Sequence, residues 1–476
     1  MLFNSFPYIF LFLPVSVIVY FSLNKFSEKA GRYWLVIISL IFYSFGTLSY
    51  LPLLLLSIVI NYAVGLAIRQ NSFSKNIIKS NDKLFLTIGI IFNVGLLAFF
   101  KYSDFFITNI NQAINLNLKF LHLAIPLAIS FYTFQQIAYL VDTYRKEIKD
   151  INFLDYCIFV TFFPRLLMGP ITRYNEVIPQ LQLTDQKRVD YGNMSIGLYL
   201  FFIGLCKRVV IADTFGIYAD IGYTSTQSLS MIEAWITSFS YTFQIYFDFS
   251  GYTDMAIGTA YFFNIKLPFN FNSPYLSVNI QDFWRRWHIT LSRFLRDYIY
   301  IPLGGNRKGE YFTYINIMIT FLIGGFWHGA GWTFIIWGAI HGTALCLQRM
   351  WQKFKIKMPK FLAIFITFNV VNVAWIFFRA KSLSDAINVI LAMSGFNALR
   401  SFLVFEGHNL GRQEGAIALL IISISLLIIF FFKNSNTIPY VFRPSYKKVA
   451  TVVLIIILGL LFLNSSIPKE FIYNDF

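Results

Sequence analysis

The sequence predicts an all-α protein that crosses a membrane many times, and two observations support this prediction. The chain of 476 residues is 57% hydrophobic and only 13% charged, whereas a soluble globular domain is about a quarter charged. Uncharged apolar runs recur along it, among them Leu84–Phe100, Ala416–Phe432 and Val449–Leu463. A helix needs about 20 residues to cross the hydrocarbon core, so counting such runs predicts about ten to twelve spans.

The positive charge of the chain lies mainly between the predicted spans. The formal net charge is +16, and short basic loops between apolar runs are typical of the cytoplasmic side of membrane proteins. These loops contain Lys25, Lys29 and Arg32, then Arg69, Lys75, Lys79 and Lys83, then Lys353, Lys355, Lys357 and Lys360, and finally Lys433, Arg443, Lys447 and Lys448. The placement indicates contact with anionic lipid of the bilayer and not with nucleic acid. It predicts a multi-pass membrane protein with both termini on the outer side, and leaves the topology of residues 150–300 open.

We predict one membrane domain over residues 1–476 with three zones. Residues 1–120 and 351–476 are typical of plain membrane helices, whereas residues 121–350 are interrupted by proline and glycine. Broken backbone is tolerated at membrane depth only against protein or a water-filled cavity. The chemistry is therefore expected in residues 121–350. Three cysteines without paired spacing indicate neither a disulfide framework nor a metal site.

Charged and polar residues are concentrated in Gln281–Asp297. A single helix over this segment places four polar side chains on one stripe, namely Gln281, Arg285, His288 and Ser292. The same helix pairs Asp282 with Arg286 at a spacing of four residues. A lipid-facing span does not carry so many charges. An amphipathic helix in the membrane interface, with its arginines reaching lipid phosphates, stays open as the alternative.

Three of the five histidines lie within 54 residues, at His288, His328 and His341. His328 is surrounded by glycines, so that the backbone can approach closely or break there, and Trp327 precedes it. Imidazole titrates near neutrality and is suited to take a proton from a hydroxyl group. The clustering favours a catalytic role for His328 over that of a core histidine, and we expect its ring in a wet passage. His341, on a helix that begins near Trp332, fits equally a supporting role and a plain helix contact.

Two carboxylates, Asp248 and Asp254, interrupt an apolar run that also contains Ser250. They suggest either a pair of catalytic acids or the neutralisation of Arg285, Arg286 or Arg293, and we favour neutralisation. The segment Pro268–Tyr275, with Asn270, is typical of a turn beside the same cavity. Fingerprints for phosphate-loop, dinucleotide or His-Glu-x-x-His zinc sites are absent from the sequence.

These motifs resemble the membrane-bound O-acyltransferase (MBOAT) family, in particular its bacterial alginate O-acetyltransferase branch. The matching segments are Phe163-Pro164 with Gly169-Pro170-Ile171, Tyr246–Gly258, Asn270–Tyr275, Phe283–Gly305 and Phe326–Trp332. The resemblance runs over most of the chain and is densest from residue 126 to 350. Arg165 departs from it, since relatives often carry Gln there, and its role stays open.

The resemblance implies a ring of tilted helices, with re-entrant and interfacial helices, around a central tunnel. It identifies His328 as the essential histidine and His288 as the second characteristic one. The residues expected to line the tunnel are Asp248, Ser250, Asn270, Trp284, Arg285, Trp327 and His341. No bound cofactor is implied.

The donor implied by the family is acetyl-CoA or a cytoplasmic acyl carrier, and the basic pair Arg307 and Lys308 is a candidate for attracting the phosphates of coenzyme A. The acceptor is an extracytoplasmic polysaccharide such as an alginate-like exopolysaccharide, peptidoglycan or another cell-surface glycan. Transfer is completed by a separate periplasmic or surface protein. Two alternatives stay open, namely D-alanyl transfer to teichoic acid by a related enzyme and a transporter or flippase without chemistry. A transporter is less favoured because internal repeats are not apparent.

Overall fold

A computed structural model describes residues 1–73, 79–183, 187–395, 410–441 and 445–465. Helices are the regular secondary structure of these residues, and the α-helices are α1 (Leu13–Phe26), α2 (Glu28–Thr47), α3 (Leu51–Phe73), α4 (Lys79–Ile114), α5 (Ile129–Tyr144), α6 (Phe153–Thr161), α7 (Phe163–Leu166), α8 (Tyr174–Gln182), α9 (Tyr191–Cys206), α10 (Asp213–Thr224), α11 (Met231–Tyr261), α12 (Ile280–Arg286), α13 (Ile289–Leu295), α14 (Glu310–His328), α15 (Trp332–Lys353), α16 (Lys360–Arg379), α17 (Leu383–Met393), α18 (Arg412–Phe431), α19 (Ile438–Val441) and α20 (Tyr446–Ser465). Short π turns continue some of them, at Lys207–Ala212 and Arg296–Tyr300 among other places.

Six helical segments in the described ranges are long and apolar enough to cross a membrane. They are Tyr8–Phe26, Leu48–Gln70, Asn81–Ile114, Tyr191–Thr224, Lys360–Arg379 and Gln413–Tyr440. Large apolar side chains such as Ile91 and Leu427 are exposed on them, as expected for surfaces that lie in lipid. The prediction of an all-α, multi-pass membrane protein is confirmed. Six is fewer than the ten to twelve spans counted from sequence, because helices such as α11 contain several acids and others are short.

The chain divides into two compact units. The first contains Met1–Phe201 and Thr253–Pro268, and the second contains Phe202–Tyr252 and Phe269–Phe476. The three histidines and the residues expected to line the tunnel lie in the second unit, whereas Arg165 and Asp254 lie in the first. The three-zone organisation of the sequence stays a prediction.

The first unit buries a polar network between α3, α4 and α5. The Gln136 side-chain oxygen accepts hydrogen bonds from Ser57, at 3.0 Å, and from Asn61. Asn93 donates to the Asn61 side-chain oxygen at 2.6 Å. In a membrane these groups have no water to replace a missing partner, so the hydrogen bonds that they make with one another hold the three helices together.

Arg165 of the first unit is fully buried beside a tight turn. One guanidinium nitrogen donates to the Thr172 hydroxyl at 2.6 Å, and the guanidinium lies 4.7 Å from the centre of the Phe159 ring. A Cβ at Gly169 would come within 2.3 Å of the Arg165 Cα, so only glycine allows this turn. These contacts stabilise the broken backbone of the Phe-Pro-Arg segment.

In the second unit, α14 and α15 form a closely packed antiparallel hairpin. A Cβ at Gly325 would lie 2.3 Å from the Phe334 carbonyl oxygen, and one at Gly338 would lie 2.3 Å from the Phe321 carbonyl oxygen. The two backbones therefore touch where the glycines face each other, as is usual for helix pairs in membranes. This contact places the end of α14 against the first half of α15, where the two histidines of the hairpin lie.

Candidate active site

His328 is the last residue of α14, and its side chain is enclosed by aromatic rings. It is 4% exposed, and its ring centre lies 4.9 Å from Trp327, 5.0 Å from Trp337 and 5.1 Å from Phe378. The helix ends here because Gly329 adopts an extended backbone. The described conformation covers the imidazole, so its contact with a wet passage stays a prediction.

His341 lies on α15, as predicted, and is fully buried. Its Nδ1 accepts a hydrogen bond from the Trp284 indole N–H at 3.3 Å. Because indole is only a donor, this Nδ1 must present its lone pair, and the neutral ring then carries its proton on Nε2. The Trp337 ring lies 4.8 Å from His341 and also contacts His328. The structure thus brings these two histidines to one tryptophan.

His288 lies in a bend, so the prediction of one continuous helix over Gln281–Asp297 is wrong. Helix α12 ends at Arg286, α13 begins at Ile289, and His288 between them has φ 39° and ψ 55°, a left-handed conformation that is uncommon for residues other than glycine. The bend turns His288 away from the predicted polar stripe. Its ring packs edge-on against Phe249 at 4.7 Å, and both of its nitrogens are without a hydrogen-bond partner among the described residues.

Asn270 holds this bend from the preceding loop. Its backbone carbonyl accepts the Ile289 N–H at 3.0 Å. Its side-chain oxygen accepts the Thr290 N–H at 3.2 Å and the Thr290 hydroxyl at 2.7 Å, which caps α13. Asn270, predicted to line the tunnel, therefore acts on the backbone around His288.

An open cavity of about 460 Å³ lies beside α12 and α13. Its wall includes Gln281, Trp284, Arg285 and Ser292, so the rest of the predicted stripe does share one surface. Four arginines line it, namely Arg285, Arg293, Arg296 and Arg349. Arg296 is paired with Asp297 at 2.6 Å. No carboxylate of the described residues lies within ion-pair distance of Arg285 or Arg349.

This cavity is a candidate site for an anionic ligand. Guanidinium groups hold phosphates and carboxylates by paired N–H donors, and two of the four arginines here are not neutralised by the protein. Trp284 and Phe321 form part of the wall, and both contact His341, so these two side chains connect the cavity to the cluster of His328 and His341. The exposed Arg307 and Lys308 do not line the cavity.

Asp248 is neutralised by an arginine that sequence reasoning missed. Its carboxylate lies 3.4 Å from Arg208, and both side chains are buried. Asp248 is thus paired with Arg208, and Arg286 pairs with Asp282 at 2.9 Å as its spacing predicts. The neutralisation of Arg293, or by Asp254, stays a prediction. Ser250 is buried on the same helix as Asp248, and neither lines the cavity.

Further residues of the site were also missed. Arg349 lies eight residues after His341 on α15 and hence near the same helical face. Its spacing from His341 could therefore have indicated it as a site residue. Trp337 and Phe378, which enclose His328, have no such signal, because an aromatic residue in an apolar run is typical of any membrane helix.

Comparison with known proteins identifies the family. A profile of MBOAT, the membrane-bound O-acyltransferase family, matches residues 48–384. The chain is 46% identical to a peptidoglycan O-acetyltransferase of Helicobacter pylori, over 100% of this chain and 98% of that protein. It is 36% identical to a probable alginate O-acetylase of Pseudomonas aeruginosa, over 88% of this chain and 80% of that protein.

The chain is also similar, more distantly, to a protein that transfers D-alanine. It is 30% identical to a teichoic acid D-alanyltransferase of Bacillus subtilis, over 54% of this chain and 69% of that protein. The family profile covers more than half of the chain, and the relatives of higher identity extend over nearly all of it. The chain is an acyltransferase and belongs to the membrane-bound O-acyltransferase family.

Proposed function

We propose that this protein transfers an acetyl group from a cytoplasmic thioester across the membrane for O-acetylation of a cell-surface polysaccharide, with peptidoglycan as the acceptor. The choice of peptidoglycan rests on the full-length similarity to a peptidoglycan O-acetyltransferase, which exceeds the similarity to alginate O-acetylases in both identity and coverage. D-alanyl transfer is less favoured because that relative matches little more than half of the chain.

The observation that carries this proposal is the arginine-lined cavity beside the histidine cluster. Acetyl-CoA is the proposed donor, since its phosphates match the guanidinium groups of Arg285 and Arg349. With the phosphates held there, the pantetheine arm passes Trp284, and the thioester reaches His341 and His328. The proposed path requires the aromatic cover of His328 to move, because the ring is 4% exposed in the described conformation.

The proposed chemistry is a direct acyl transfer. His328 takes the proton of the attacking hydroxyl, and the hydroxyl oxygen forms a bond to the thioester carbonyl carbon. The C–S bond then breaks, and the thiolate leaves with the proton returned by the imidazolium. The attacking hydroxyl belongs either to the glycan or to a relay residue on a separate periplasmic or surface protein, which passes the acetyl group on.

Other side chains of the cluster support this step in the proposal. His288 or Arg285 stabilises the oxyanion that forms on the carbonyl. Trp284 and Trp327 exclude water, which limits wasteful hydrolysis of the thioester. The enzyme is placed in the bacterial cytoplasmic membrane with both termini on the outer side, on the basis of its basic loops.

The test is an acetyl-transfer assay with purified protein in lipid vesicles. Labelled acetyl-CoA is supplied with peptidoglycan fragments and a membrane extract containing the accessory proteins, and released coenzyme A and labelled glycan are both measured. We expect transfer by the wild type, and a loss of about 10²–10⁴-fold in His328→Ala because a general base is removed. His122→Ala, an exposed histidine in the first unit, is the matched control and keeps wild-type activity.

The outcomes separate the alternatives. Transport of label without release of coenzyme A contradicts an enzyme mechanism. Transfer only from D-alanyl carrier protein identifies the teichoic acid chemistry. Transfer to alginate but not to peptidoglycan overturns the proposed acceptor, and normal activity of His328→Ala at equal protein level overturns the proposed base.

A further inference from the structure

We propose that the segment Asn434–Thr437, which we term the C-terminal latch, positions His288 for acyl transfer through the loop Asn270–Tyr275. This inference rests on the proposed function, in that it assigns His288 a part in the reaction. The latch lies beyond residue 384, where the family profile ends.

The latch binds the loop through three hydrogen bonds from two asparagine side chains. The Asn436 side-chain N–H donates to the Phe271 carbonyl oxygen at 2.6 Å. The Asn434 side-chain N–H donates to the Asn272 side-chain oxygen at 2.6 Å and to the Ser273 hydroxyl at 3.2 Å. Three hydrogen bonds to consecutive loop residues fix the position of this loop.

The latch itself is held in shape. Its Ser435–Thr437 part is a single 3-10 turn, which the Asn434 side chain caps by accepting the Asn436 N–H at 3.0 Å. The Thr437 hydroxyl donates to the Asn434 carbonyl at 2.9 Å. Lys207, from the π turn after α9, donates to the Ser435 hydroxyl at 3.3 Å. The two asparagines are therefore presented to the loop by a pre-organised turn.

The loop in turn joins both sides of the His288 bend. On the α12 side, the Asn272 N–H donates to the Arg286 carbonyl at 2.9 Å. On the α13 side, the Asn270 carbonyl accepts the Ile289 N–H at 3.0 Å. Asn270 and Asn272 thus connect the loop to the two sides of the bend, and the latch bonds to Phe271, the residue between them.

Phe271 also connects the latch to the His288 ring. Its ring centre lies 5.0 Å from Phe249 and 5.0 Å from Trp287. Phe249 lies 4.7 Å from the His288 ring. A shift of the Phe271 backbone therefore moves the Phe249 ring that packs against His288. The left-handed backbone conformation of His288 is unfavourable in an isolated residue, so it depends on these surrounding contacts. Asn434 and Asn436 are therefore positioning residues, and they do not touch the proposed reacting atoms.

The test removes the donor of Asn436 with two variants of similar size, Asn436→Asp and Asn436→Leu. Purified proteins are assayed for kcat and for KM toward acetyl-CoA, and their melting temperatures are recorded. We expect kcat to fall about tenfold in both variants, as for the loss of one hydrogen bond, with KM unchanged. Asn111→Asp is the matched control, since Asn111 donates to a backbone carbonyl in the first unit at 3.0 Å, and it keeps the wild-type kcat.

A double-mutant cycle with His288→Asn shows whether the latch acts through His288. We expect Asn436→Leu to cost little further activity in the His288→Asn background, because coupled residues are non-additive. If Asn436→Leu lowers kcat by the same factor in the wild type and in His288→Asn, the proposal is overturned. It is also overturned if the fall in kcat is explained entirely by a smaller amount of folded protein. A wild-type enzyme that does not transfer acetyl groups contradicts the proposed function, whereas an active wild type with unchanged Asn436 variants contradicts the latch alone.

Discussion

The arginine-lined cavity and the histidine cluster lie side by side in the second unit, yet they are built on opposite principles. The cavity is open, about 460 Å³ in volume, and carries guanidinium groups that the protein leaves unneutralised at Arg285 and Arg349. The cluster is closed, with His328 and His341 each at most 4% exposed and packed against aromatic rings, and His288 is likewise buried against Phe249. Trp284 and Phe321 belong to the cavity wall and also contact His341, Trp284 by a hydrogen bond and Phe321 by a ring contact at 6.4 Å.

The difference indicates two tasks. An open, positively charged wall attracts and holds a charged ligand even in the presence of water. A dry aromatic enclosure strengthens the polar interactions inside it and excludes water from a reactive ester. In our proposal the donor is therefore held in the first region and reacts in the second, and mutations in the two regions are expected to affect KM and kcat separately.

The largest of the following effects is expected in the cavity. Each charge-assisted hydrogen bond is worth about 1.5–3 kcal/mol, so Arg285→Gln combined with Arg349→Gln raises the KM for acetyl-CoA by about 100-fold or more. The variant kcat at saturating donor stays within a few-fold of the wild type. Initial rates over a range of acetyl-CoA concentrations and of salt concentrations check both statements.

The salt series also provides the internal control for this variant. Screening weakens the attraction between the wild-type wall and the donor phosphates, so wild-type KM rises with salt and the variant KM changes less. If the double variant has the wild-type KM at every salt concentration, the arginines of the cavity do not hold the donor, and the proposed division of tasks between the two regions is wrong.

A smaller effect is expected at the shared wall. Trp284→Phe keeps an aromatic ring but removes the N–H that donates to His341 Nδ1. One neutral hydrogen bond contributes about 1 kcal/mol, so kcat falls about five-fold while KM hardly changes. Steady-state kinetics measure this, and a change confined to KM would assign Trp284 to the cavity alone.

The smallest effect is expected for a basic residue in neither region. Lys187 pairs with Glu28 in the first unit, and its hydrogen bond and charge hold the pKa of that carboxyl below its usual value. The pair thus stabilises the protein at neutral pH, and this contribution is lost as the pH falls through the lowered pKa. Because Glu28 is exposed to water, this contribution is small, so Lys187→Met leaves kcat and KM unchanged and hardly lowers the melting temperature at neutral pH. A marked change in KM would mean that positive charge anywhere on the chain attracts the donor.

The sequence determined the membrane character, the helices and the family of this protein. Apolar composition and run length decide these properties, because each run must satisfy its own backbone hydrogen bonds in lipid. Local spacing also predicted the Asp282–Arg286 pair and the helix that carries His341, since both depend on the helical period within a few residues. The glycines around His328 likewise indicated that the backbone can approach closely or break there, and α14 ends at this residue.

Only the tertiary structure decided which of these residues meet. The bend at His288 is imposed by Asn270, 18 residues earlier in the chain, and not by the residues of the stripe itself. The partner of Asp248 is Arg208 and the rings around His328 come from three helices, because contacts of this kind depend on packing between distant segments. Helical periodicity specifies the face of a helix, but it does not specify which other segment covers that face.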